Sequence, residues 1–198
     1  MQELPEEPEP WAFVRAADYV PGVVEELRYA GTDNFTGQVI YHFTDAYLRY
    51  GTAQKLAAVQ AALAEEGLGL KIWDAFRPAE AQFKLWEICP DGRYVANPNR
   101  GFSSHTRGNT LDLTLVDGTG RELEMPSGFD EFSPLADRDY GDVSPQAAEN
   151  ARKLEAAMTA GGFLPYDQEW WHYSDTEYYD AEEDFRPPAE EQKGEKHG

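Results

Sequence analysis

The segment Thr110–Val116, T-L-D-L-T-L-V, alternates apolar and polar residues and runs into D117-G-T-G120. Strict period two puts Leu111, Leu113 and Leu115 on one side of an extended chain and Thr110, Asp112 and Thr114 on the other. A strand of this kind is stable only if the leucine side is covered, so the rest of the chain must supply a core. The turn residues that follow predict a hairpin with a short return strand near Glu122–Met125. Asp112 falls on the side that can carry a site.

The remaining pattern supplies the cover. Leu56, Val59 and Leu63 form a helical stripe within residues 44–66, and Gly67 ends it. G69-L-K-I-W-D-A-F76 reads as a buried strand running into Arg77-Pro78. A second helix is predicted over Ala79–Ile88. A third starts at Ser144-Pro145, with Ser as N-cap and Pro in the first turn, and ends at Gly161-Gly162. Residues 13–30 suggest one or two short strands, G31-T-D-N-F-T-G37 a turn, residues 90–104 a polar loop, and residues 126–143 an irregular stretch. Q168-E-W-W-H-Y173 reads as a last core strand. Helices mixed with antiparallel strands predict an α+β fold: one domain, a central, mainly antiparallel sheet flanked by helices, and a site on the sheet.

A chain of 198 residues with 41% hydrophobic residues can bury one core of this kind. The expected domain is 11–187, with acidic ends at 1–10 and 188–198. Formal charge is −20. Residues 1–10 carry four acids and no base. Residues 174–198 carry nine acids and three bases, so −4 and −6 of the −20 sit at the ends. This balance argues against nucleic acid and anionic membranes as partners, since both would be repelled. No apolar run approaches the roughly 20 residues that span a bilayer. No signal peptide is visible and a single cysteine, Cys89, can form no internal disulfide, so a cytoplasmic location is expected.

Only four histidines occur, and two stand in dense settings: S103-S-H-T-R-G108 just before the alternating strand, and E169-W-W-H-Y173. Gly108 can adopt backbone angles that fold His105 back toward Asp112. His105, Asp112 and His172 offer two nitrogens and one oxygen, the donor set of a catalytic zinc site that keeps one position for water. Glu169, three residues before His172, reaches the same place if the chain turns between them and could serve as general base. Trp170 and Trp171 would help exclude water. Arg77, at the end of a buried strand, is a fixed cation suited to a developing oxyanion. The same residues also admit plainer readings. A histidine is usually a surface or hydrogen-bonded core residue, an acid among leucines is usually the solvated side of a strand, E-W-W-H-Y describes an aromatic core strand, and Arg-Pro an ordinary turn.

Taken together, S103-x-H-x-x-G-x-T-x-D112 and E169-x-x-H172 resemble the signature of zinc D-alanyl-D-alanine dipeptidases of the vancomycin-resistance type, which group with D,D-carboxypeptidases among peptidoglycan-processing metallopeptidases. L27-R-Y-A30, D33-N-F-T-G37, W73-D-A-F-R-P78 and F129-D130 extend the likeness over about residues 25–175. The resemblance implies one Zn(2+) per chain on His105, Asp112 and His172, Glu169 as catalytic acid/base, and Arg77 at the transition state. It also implies that Tyr29, Ser103 and Asp130 hold a small dipeptide substrate, Asp130 facing its free ammonium. Thr110 departs from the wider pattern, which often has Ala there, and little effect is expected. His42 and His197 match no motif, and His197 is expected in solvent. The expected reaction is hydrolysis of D-Ala-D-Ala. The alternatives are a D,D-carboxypeptidase or endopeptidase acting on longer stem peptides, and a zinc-binding protein without activity. Glu169 and Arg77 beside all three donors argue against the last.

Overall fold

The computed structural model describes residues 7–189. The expectations for residues 1–6 and 190–198, including His197, lie outside them. Seven strands and four helices follow in the order β1 (Phe13–Arg15), α1 (Ala16–Tyr19), β2 (Val24–Glu25), β3 (Tyr47–Arg49), α2 (Tyr50–Ala64), β4 (Leu68–Asp74), α3 (Ala79–Ile88), β5 (Thr110–Asp117), α4 (Pro145–Ala160), β6 (Phe163–Tyr166) and β7 (Glu169–Asp175). Five strands form one sheet in the order β2-β4-β5-β7-β6. Only the β2–β4 pair is parallel, and β1 and β3 make a separate antiparallel pair. This is the expected α+β architecture.

The alternating segment becomes the middle strand of the sheet. Leu111, Leu113 and Leu115 are fully buried, but so are Thr110 and Thr114, and Asp112 nearly so. The polar side of β5 is therefore covered as well, and Asp112 lies at the floor of a cleft rather than on an open face. Helices α2 and α4 pack on the sheet and on each other. The start of α4 follows from its cap: Ser144 Oγ accepts from the Ala147 N–H at 3.0 Å, and Pro145 occupies the first turn.

Three local expectations change. Residues 47–49 are not the start of α2 but strand β3, paired with β1, and the N–H groups of Arg49, Tyr50 and Gly51 donate to the carbonyls of Gly108, Ala12 and Pro10 instead of continuing a helix. The return strand after D117-G-T-G120 shrinks to a single bridge, Val116 to Glu122. An additional strand, β6, lies at the sheet edge. Its sequence F163-L-P-Y166 contains Pro165, which cannot donate to a ladder and is tolerated only in such an edge position. Residues 176–187, within the expected domain, fold back over the β1–β3 pair. The Phe185 ring stacks on Phe13 at 4.2 Å, and the Glu182 N–H donates to the carbonyl of Thr106 at 2.9 Å. No helix among the described residues is long and apolar enough to cross a membrane.

Candidate metal centre and active-site cleft

Two sheet strands and one short turn bring the donor atoms together. Asp112 on β5 pairs directly with His172 on β7. The turn Ser104–Arg107 delivers His105; its cap residue Ser103 accepts from the His105 N–H at 3.3 Å, and Gly108 closes it with φ +77°. A Cβ at Gly108 would stand 2.4 Å from the Phe13 ring, so this position requires glycine on both grounds. One ligand-capable atom from each of His105, Asp112 and His172 lies within 4.8 Å of the others.

The donor set fits a zinc ion. His105 Nδ1–H donates to the carbonyl of Ala75 at 2.9 Å, which fixes the ring and leaves Nε2 with its lone pair 3.3 Å from Asp112 Oδ2. His172 Nδ1 sits 3.0 Å from Asp112 Oδ1. Two imidazole nitrogens thus converge on a buried carboxylate, an arrangement that calls for a shared cation. Burial disfavours a charged His105 ring, yet attraction to Asp112, aided by Asp74 and opposed by Arg77, leaves its pKa raised. Burial alone would raise the Asp112 carboxyl, but His105 and His172 hold it well below the usual carboxylate range.

Glu169 Oε2 lies 3.5 Å from His172 Nδ1. The turn between them is a bulge: pairing with β6 jumps from Pro165↔Tyr173 to Tyr166↔Glu169. Burial, reinforced by Asp112 and Asp130 and opposed by His172, pushes the Glu169 carboxyl up to about 7.

Arg77 lines the same cleft, of about 520 Å³, with His105, Asp112, Asp130, Glu169 and His172. Its guanidinium is clamped from behind. Nε and Nη2 donate to Asp74 Oδ2 at 3.1 and 2.6 Å, and Nη1 donates to Gln82 Oε1 at 2.7 Å. A guanidinium has five N–H bonds, so two remain. Tyr41 Oη donates to the other oxygen of Asp74 at 2.7 Å. Asp74, Gln82 and Tyr41 escape a reading of the sequence, although Asp74 leaves one signal: an acid inside the buried run L-K-I-W-D-A-F.

Tyr29 and Asp130 meet as a pair, the Tyr29 hydroxyl donating to Asp130 Oδ2, and the Tyr29 ring lies 5.3 Å from the Arg77 guanidinium. Asp130 has φ +53°, an uncommon conformation for a non-glycine residue. Burial first, then the charge of Asp112, push Asp130 up to about 7, against the lowering influence of Tyr29 and Arg77. Ser103 is buried at the cleft wall. Tyr29, Arg77, Ser103, His105, Asp112, Asp130, Glu169 and His172 therefore all line one cleft.

Trp170 and Trp171 do not close it. Both are fully buried beneath the 126–143 loop, where Trp170 Nε1 donates to Ser127 Oγ at 2.9 Å and both indoles lie near Trp73 or Phe129. They hold the loop that presents Asp130. The cleft walls come instead from residues 92–96, 102–105 and 164–166. Thr110 Oγ1, the departure noted above, is buried and hydrogen-bonded to Ser174 Oγ at 2.9 Å.

The family model described as D-ala-D-ala dipeptidase, within the M15 peptidases, matches residues 10–186. The chain belongs to the D-Ala-D-Ala dipeptidase family. It is 41% identical to a D-alanyl-D-alanine dipeptidase of Escherichia coli (strain K12) over 161 residues, 81% of this chain and 83% of the relative. It is 38% identical over 186 residues to a D-alanyl-D-alanine dipeptidase of Streptomyces coelicolor, covering 82% of this chain and 90% of that relative. A solved structure, VanYB in complex with D-Alanine-D-Alanine, aligns with 67% of this chain and 73% of its own length at 16% identity and a TM-score of 0.46. The family match spans every cleft residue discussed above.

Proposed function

We propose that this chain hydrolyses D-Ala-D-Ala to two D-alanines with one zinc ion per chain. The observation that carries this reading is the convergence of His105, Asp112 and His172 within 4.8 Å, in a chain of the dipeptidase family. His105 through Nε2, Asp112 through its carboxylate and His172 through Nδ1 would hold the metal. When bound, zinc supplies Lewis-acid polarisation of the scissile carbonyl and makes water acidic enough to attack it near neutral pH.

The protein's own groups carry the rest. Glu169 takes the proton from the attacking water and returns it to the leaving amine as the C–N bond breaks. Arg77, held by Asp74 and Gln82, turns its two remaining N–H bonds toward the developing oxyanion. Asp130, braced by Tyr29, receives the ammonium of the free dipeptide, and Ser103 keeps its hydroxyl hydrogen for the substrate.

A second reading has one observation in its favour. Phe102, Leu164 and Tyr166 at the cleft walls are 48%, 58% and 49% exposed, and such an apolar rim could seat a longer stem peptide, as a D,D-carboxypeptidase requires. Purified zinc-loaded enzyme, assayed on D-Ala-D-Ala, L-Ala-L-Ala, D-Ala-D-lactate and a stem pentapeptide, separates the two. Rapid release of D-alanine from D-Ala-D-Ala alone is the expected result. Faster release from the pentapeptide would replace the dipeptidase by the carboxypeptidase.

A further inference from the structure

Arg138 lies in the 126–143 loop, and its side chain is only 8% exposed. Each of its five N–H bonds has an acceptor. Nε donates to the carbonyl of Tyr166 at 2.8 Å. Nη1 donates to Glu155 Oε2 and to Tyr173 Oη, both at 3.0 Å. Nη2 donates to the carbonyls of Glu169 and His172, both at 3.1 Å.

Three of these acceptors are backbone carbonyls of the β6–β7 hairpin, and they bracket the bulge. In an unbroken strand, residues three apart project to opposite faces. Glu169 and His172 meet at 3.5 Å only because residues 170–172 lie outside the register with β6. A bulge removes ladder partners from the carbonyls it displaces, and buried carbonyls require replacements. The Arg138 fork supplies them at both ends of the bulge. Tyr173, just beyond it, packs its ring 4.6 Å from the guanidinium.

We propose that Arg138 is a positioning residue for the reaction: by bonding the carbonyls of Tyr166, Glu169 and His172 it holds the β7 bulge in the one shape that turns the Glu169 carboxylate and the His172 ring into the cleft together. The inference rests on the roles proposed above for Glu169 and His172. Lysine cannot replace it, because a single ammonium offers three hydrogens from one point and has no fork to span the hairpin.

The test compares wild type with Arg138→Lys and Arg138→Gln, each as the full chain, loaded with zinc for kinetics and with Co(II) for visible spectroscopy. Both variants should lose kcat on the order of 10²-fold with KM changed only a few-fold. Both should show altered Co(II) ligand-field bands and bind Co(II) roughly 10–100-fold more weakly, as expected when an outer support of a ligand is lost. Leu63→Ala in α2, a buried core truncation outside the hairpin and the cleft lining, should lower the melting temperature yet leave the Co(II) bands unchanged. Wild-type bands and kcat in either Arg138 variant would overturn the proposal. So would a Leu63→Ala protein whose bands shift as much as theirs, since the effect would then be general loosening. Inactivity of the wild type toward D-Ala-D-Ala would strike the proposed function and leave this spectral comparison standing.

Discussion

Asp112 and His172 face each other across β5 and β7, with the imidazole Nδ1 3.0 Å from the carboxylate. Asp112 is held between β4 and β7, and His172 by its pairing with Asp112 and by the Arg138 bond to its carbonyl, so these two donors are set by the fold. His105 reaches them from a turn that Gly108 and the Phe13 ring hold in shape. On this geometry the sheet needs no rearrangement to receive a metal ion.

Replacement of His172 by Ala should therefore strip zinc under mild chelation while the sheet still forms. Wild type gains stability from bound zinc by mass action, about 2.7 kcal/mol when free metal is 100 times Kd, and the variant should lose that increment. Elemental analysis and calorimetry measure both. Full zinc occupancy in His105→Ala and in His172→Ala alike would remove these residues from the ligand set.

Much of this arrangement is legible in the sequence because its signals are local. The leucine alternation marks β5, Ser144-Pro145 marks the start of α4, and the scarcity of histidine isolates His105 and His172. What stays hidden depends on contacts made across the fold. Asp74 reads as an oddity in an apolar run until Arg77 and Tyr41 close on it. Arg138 sits in an irregular loop with no periodicity, and its importance rests on carbonyls up to 34 residues away. The pair Trp170-Trp171 misleads, because only the bulge decides which way those rings turn, and it turns both into the core.

Glu169→Ala should retain its zinc and lose most of its turnover. A positioned general acid–base contributes roughly 10²–10⁴-fold, and here one carboxylate would serve both proton transfers. Metal content and kcat on the same preparation decide the matter. A folded, zinc-replete variant with near wild-type turnover would move the base to another residue.

Arg77→Lys keeps the charge and loses the fork that spans Asp74 and Gln82. A lysine ammonium would still pair with Asp74 but could not also present donors to the oxyanion at fixed geometry. The expected loss is on the order of 10²-fold or more, in kcat rather than KM. A loss confined to KM would recast Arg77 as a binder of the substrate carboxylate in the ground state.

Asp130 makes the stability of the zinc-free, substrate-free protein depend on pH. Its folded pKa is raised to about 7, from about 3.9 for an ordinary aspartate. The folded state therefore holds the proton more tightly than the unfolded chain. This contribution to stability is intact below about pH 4 and declines as pH climbs from there through about 7. Asp130→Asn cannot ionise, so its stability relative to wild type should rise between pH 5 and pH 8 in urea titrations. A difference that stays flat over that range would mean that the carboxyl titrates normally.

The same carboxyl should set the limit on substrate size. A net charge of −20 offers no long-range attraction to a dipeptide's carboxylate, so recognition has to be local, with Asp130 in the cleft as the group for the ammonium. A bound ammonium would draw Asp130 back to its charged form and complete a pair already braced by Tyr29. Acylating the amine removes that charge, adds bulk where the Phe129–Asp130 turn is packed on Trp73 and Trp171, and leaves a buried acid with no cation. Free D-Ala-D-Ala should therefore exceed N-acetyl-D-Ala-D-Ala by on the order of 10²-fold or more in kcat/KM, the scale on which sites built around a polar contact reject analogues lacking it. Asp130→Ala should narrow the gap by slowing only the free dipeptide. If wild type cleaves the two equally well, Asp130 does not read the ammonium, and the exposed rim of Phe102, Leu164 and Tyr166 becomes the better guide to a longer natural substrate.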